Sequence, residues 1–104
     1  MIEDFTASTF EPHRGDTFHL QSNGTGQVDL ELVEISELGM GHPPSSHAVY
    51  PGRAPFSIVF LGPPEPILPQ SIYRLAHRTL GAFDLFLVPI ARDQRGVRYE
   101  AVFA

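Results

Sequence analysis

Five histidines, twelve acidic residues and seven basic residues carry whatever acid–base or ligating chemistry this 104-residue chain has. His42 and His47 stand with four residues between them, a separation that two ligands of one metal ion can have. No third ligand stands near them and Pro43-Pro44 stiffens the segment, so solvated loop histidines are the simpler expectation. His77 shares one face of an alternating run with Tyr73 and Leu75. It is expected to look inward and to hydrogen-bond a backbone carbonyl rather than act as a base. General acid–base catalysis would need His77 or His42 within reach of Glu100, Asp93 or Glu65, and these positions scatter along the chain. There is no glycine-rich phosphate loop, no nucleophile elbow and no H-E-x-x-H. The expectation is a protein that is not an enzyme and holds neither cofactor nor metal. Arg14-Gly15-Asp16 matches a known adhesion tripeptide, but Gly and Asp are also turn formers, and a turn before a strand is the plainer reading.

The elements that would position these residues read as strands. Thr17 to Gln21 alternates with Phe18 and Leu20 inward. Ser22 to Gly26 contains Asn-Gly, a hairpin signal. Val28, Leu30 and Leu32 continue on one face, and then Val33 and Ile35 take the opposite phase. A β-bulge near Leu32–Val33 predicts that slip and the bend a closed sheet needs, although a helix over Leu30 to Leu38 is an alternative. Phe56 to Leu61 is apolar on both faces and reads as a central strand. Gly62 to Gln70 holds four prolines and reads as a stiff connection crossing one end of the structure. Ser71 to His77 is a further strand, and Arg78 to Ala82 a tight turn. At the start, Thr6 or Ser8 is placed to cap a short helical turn ending near Pro12, with Phe5 and Phe10 as anchors.

The longest apolar stretch is a hairpin. From Phe83 to Ile90 both faces are apolar, with Phe83, Leu85 and Leu87 on one and Phe86, Val88 and Ile90 on the other. Asp93 to Gly96 form a polar turn, after which Val97, Tyr99, Ala101 and Phe103 make a one-sided strand. The turn length decides which face of the first arm joins Tyr99, because a one-residue slip inverts the faces. Either way one apolar row is left over. Phe83, Leu85 and Leu87 are the candidate interface on this reading.

These runs predict one all-β domain over residues 1–104: a small closed barrel or sandwich of about six mostly antiparallel meander strands, with a short N-terminal helical or irregular lid. Eight Phe, no Trp and ten Pro suit that class. Gly39 to Pro55 is the longest irregular stretch, and His42, His47, Tyr50 and Arg53 within it are the candidate ligand or partner loop. A net charge of −5 argues against a nucleic-acid backbone as partner. No apolar run approaches the roughly 20 residues of a membrane span. The polar, acidic start MIEDFTAS is no secretory signal, so a cytoplasmic site is expected, with export inside an assembly left open.

The second half resembles a small family of uncharacterised bacterial domains. The resemblance rests on Arg53-Ala54-Pro55-Phe56-Ser57, Phe60-Leu61-Gly62-Pro63, Leu68-Pro69-Gln70 and Tyr73-Arg74-Leu75-Ala76-His77. It continues through Leu80-Gly81, Phe86-Leu87-Val88-Pro89-Ile90, Arg92-Asp93 and Arg98-Tyr99-Glu100-Ala101-Val102-Phe103. It implies no activity. It implies a structural or assembly role, in association with phage-tail-like proteins. With the spare apolar row, this points to a non-enzymatic domain that self-associates or joins a larger assembly, a homo-oligomer being expected. The alternative is a small-ligand binding barrel that uses Tyr50, Tyr73 and Arg53 at its mouth.

Overall fold

The computed structural model describes residues 5–22, 26–37 and 55–103. A short helix α1 (Ala7–Phe10) runs into a 3-10 turn (Glu11–His13). Six strands follow: β1 (Thr17–Ser22), β2 (Gly26–Glu37), β3 (Phe56–Gly62), β4 (Ser71–His77), β5 (Gly81–Asp93) and β6 (Gly96–Phe103). They close a barrel in the order β1-β2-β3-β6-β5-β4, antiparallel at every seam. The ring is therefore two three-stranded meanders, β1-β2-β3 and β4-β5-β6, joined at β3–β6 and β4–β1. The continuous meander of the sequence reading breaks between β3 and β4. The proline-rich connection after Gly62 has to cross the barrel end, since β6 and β5 separate the strands it joins. Tyr99 pins that connection: its hydroxyl accepts the Leu68 N–H at 2.9 Å in a buried position.

Local chemistry explains the irregular points. Thr6 caps α1, its N–H donating to Thr9 Oγ1 at 2.9 Å. In β2, Leu32 pairs with Phe60 but Glu34 pairs with Val59, so Val33 is the extra residue of a bulge and the strand reading prevails over the helical one. Asp93 faces Gly96 across the β5–β6 turn. Gly96 has φ of 145°, and a Cβ there would stand 1.9 Å from the carbonyl oxygen of Gly62, so glycine is required by backbone proximity. Pro89 sits beside a second bulge, because Pro89 pairs with Tyr99 while Ala91 pairs with Arg98.

That pairing settles the faces of β5. Pro89 opposite Tyr99 puts the odd-numbered residues on the Tyr99 side, and the Tyr99 side is the barrel interior. Phe83, Leu85 and Leu87 are thus core residues, with exposures of 7%, 4% and 0%. Their assignment as an interface is corrected: the folded barrel already covers them. The row left over is the other one, with Phe86 at 52% and Ile90 at 49% exposed, accompanied by Ile72 at 67% and Val102 at 59%.

Antiparallel order gathers the start of β1, β3 and β5 and the end of β2, β4 and β6 at one end of the barrel. The lid plugs this end. Phe10 is fully buried, its ring 6.5 Å from Phe18, 6.0 Å from Phe56 and 5.7 Å from Phe103. Phe5 meets Phe10 and Phe83 edge-on, each at 5.3 Å. Such aromatic pairs add to the stabilisation from burial. Adjacent residues of β5 separate the two environments. Leu85→Ala is expected to cost about 2–5 kcal/mol in urea unfolding through the cavity it leaves. Phe86→Ala, compared at a dilution where the chain is monomeric, is expected to change stability by no more than about 0.5 kcal/mol, as exposed substitutions do. Equal costs at both positions would contradict the register.

Candidate functional site

The polar groups that come together at the lid end are His13, Asp16 and His77. Gly15, with φ of 91°, turns the chain between the 3-10 turn and β1, and backbone bonds tie that turn to β2: Gly15 N–H to the Leu32 carbonyl at 2.7 Å, and Leu32 N–H to the Asp16 carbonyl at 3.1 Å. The turn expected at Arg14-Gly15-Asp16 is there. Its aspartate is engaged rather than displayed: Oδ2 lies 3.1 Å from His13 Nδ1 and 2.9 Å from His77 Nε2. His77 closes β4 with its side chain only 1% exposed, its ring centroid 4.5 Å from both Phe18 and His13.

The backbone fixes the His77 protons. Nδ1 accepts two N–H groups, from Thr79 and Leu80, each at 3.1 Å. Nδ1 therefore carries no hydrogen, and the ring hydrogen sits on Nε2 and is donated to Asp16. His77 is inward-facing as expected, but its partners differ from the expectation. It donates to a carboxylate, and its backbone contacts are donors, not a carbonyl acceptor. Hydrogen bonds from His77 first, and then from His13, hold the Asp16 carboxyl below its ordinary value of 3.8.

This arrangement decides what the cluster can do. The three donor atoms lie within 4.8 Å of one another, close enough in distance for one metal ion. A metal-bound histidine normally places its second ring N–H on an acceptor. His77 offers the reverse, because metal on Nε2 would require a hydrogen on Nδ1, pointing at two amide hydrogens. The same geometry leaves His77 no free nitrogen for general-base work. What the trio does is fasten the lid turn to the end of β4.

The other sequence candidates fall elsewhere. His42, His47, Tyr50 and Arg53 lie outside the described residues. Asp93 sits at the β5–β6 turn, at the end of the barrel away from His77, and binds Arg98 at 2.7 Å and the Arg95 N–H at 2.9 Å. Arg98 above all holds its carboxyl below 3.8. Glu65 reaches Arg92 at 3.9 Å, and Glu100 lies on the wall opposite Val88. No acid–base pairing with His77 forms among these residues. Tyr73 donates its hydroxyl to the Pro69 carbonyl. The interior is packed with Phe18, Phe60, Leu30, Leu75 and Tyr99, each at most 1% exposed.

The remaining feature is the outer wall of β4 and β5. Three directly opposed pairs face outward there at successive levels: Ile72 with Phe86, Arg74 with Asp84, and Ala76 with Ala82. Arg74 and Asp84 bond at 3.2 Å and are both exposed. Val102 of β6 and Ile90 in the β5 bulge add exposed apolar surface. Alternation in the sequence names Phe86 and Ile72 as members of one face each, but only the register tells that this face is outside.

The fold and its surface define a small closed antiparallel β-barrel with a filled interior and an apolar patch on one side of its outer wall. The chain belongs to a family of domains of unknown function, DUF6916, whose match spans residues 5–103. No curated protein and no solved structure matches it. Among the described residues no helix is long and apolar enough to cross a membrane.

The Asp16 clasp has a pH signature. Its folded-state pKa is lowered, so its contribution is present above the unfolded value of 3.8 and is lost as pH falls through the lower folded value. Asp16→Asn is expected to lower the urea midpoint at neutral pH, with the deficit shrinking in strong acid. A deficit of equal size in strong acid would mean that the carboxylate is not what holds the turn.

Proposed function

We propose that this domain is a non-enzymatic protein-interaction module that self-associates, or joins a larger assembly of the phage-tail-like kind implied by the sequence resemblance, through the outer wall of β4, β5 and β6. One observation carries the reading. Ile72 and Phe86 are opposed on neighbouring strands and more than half exposed, with Val102 exposed on β6. Single exposed apolar residues are ordinary, whereas a contiguous patch rimmed by charge marks an interaction site. The rim here is Arg74, Asp84 and Glu100. Apolar anchors inside a polar border are the usual anatomy of a docking surface. The packed interior supports an external site over a ligand held within the barrel, since about eight strands are needed before a barrel encloses even one small ligand.

The test is the solution mass of the unaltered chain and of Phe86→Ser, measured by light scattering, with near-ultraviolet circular dichroism as the check on folding. The parent is expected to associate as concentration rises. The variant is expected to keep the parent's spectrum and remain monomeric. Association of the variant equal to that of the parent would contradict the reading.

A further inference from the structure

We infer that the partner on this wall is a second copy of the chain, laid face to face about a two-fold axis parallel to β4 and β5; the inference rests on the docking-face reading above. The three outward levels carry the argument: Ile72 beside Phe86, Arg74 beside Asp84, Ala76 beside Ala82. A two-fold axis along the strands, placed between two such walls, exchanges β4 of one copy with β5 of the other and leaves every level unchanged. Ile72 then meets Phe86 of the second copy, Arg74 meets Asp84 of the second copy, and Ala76 meets Ala82 of the second copy. All three levels match in kind: apolar on apolar, cation on anion, small on small.

The alternative in-plane axis runs across the strands. Centred on the middle level, it would set β4 on β4, with Arg74 on Arg74 and Asp84 on Asp84, which like-charge repulsion disfavours. The charge pattern thus selects one of the two symmetric arrangements. Isologous contacts about a two-fold are the commonest route to a homo-oligomer. Packed sheets keep their strands within about 30° of one another, so an axis along the strands is compatible with face-to-face packing. The alanine level lets the walls approach closely at one end, while Ile72 and Phe86 fill the other.

The test uses charge reversal. Arg74→Asp makes both members of the middle level acidic, and Asp84→Arg makes both basic. Each variant alone would repel its own copy, whereas a mixture would pair Asp with Arg at both symmetry-related contacts. Light scattering should give the monomer mass of 11.5 kDa for each variant alone and twice that for an equimolar mixture, as for the parent. The exposed pair contributes little to stability, so both variants are expected to fold, with circular dichroism as the check. A monomeric parent overturns the second copy as occupant. A parent that associates, with a mixture that stays monomeric or with Ala76→Cys and Ala82→Cys chains that fail to cross-link to each other on oxidation, overturns this arrangement and leaves the docking face standing, since only the axis along the strands sets Ala76 on Ala82. A Phe86→Ser variant that associates as the parent does overturns both.

Discussion

The structure depends on a barrel of six strands being filled by its own side chains. Phe18, Leu30, Phe60, Leu75 and Tyr99 occupy the interior, and Phe10 closes the lid end from a single helical turn. A helix of four residues has no stability of its own. It stays because Phe10 is buried against three rings of the barrel strands and because Asp16, just beyond it, is bonded to both His13 and His77. With the inside packed and the lid shut, the outer face of the sheet is the surface on which the proposed recognition rests.

Alternation then decides what the outside offers. In β5, Phe83, Leu85 and Leu87 are spent on the core, and Phe86 between them faces water. A sheet that served only to enclose a core would carry polar residues on its outer face. The outward sides of β4 and β5 instead carry Ile72, Phe86 and Ile90 together with one ion pair. The core explains the inward residues and leaves these unaccounted for. The partner proposed above would shield them.

Much of the fold was legible in the chain because its signals are local. The bulge at Val33 shows as a phase slip between Leu32 and Ile35, the turn at Gly15 as Gly-Asp, and the capped lid as Thr6 ahead of Phe10. Long-range facts were not legible. Whether Leu85 or Phe86 points inward depends on a single residue of register across the β5–β6 turn, and the bulge beside Pro89 helps to set it. Strand order was only partly legible: the prolines of Gly62 to Gln70 read as a connection crossing one end, but nothing local states that β4 lands opposite β3 in the ring. Of the site, His77 was readable as an inward histidine, but its bond to Asp16 spans 61 residues and has no local signature.

Hydroxyl-radical footprinting of the unaltered chain at low and high concentration tests the central claim most directly. The interior row of β5 is covered by the barrel, and the exterior row would be covered by the proposed second copy. Phe83 and Leu85 should resist labelling at both concentrations, while Phe86 and Ile72 should label readily when dilute and become protected when concentrated. Equal labelling of Phe86 at both concentrations would contradict that claim.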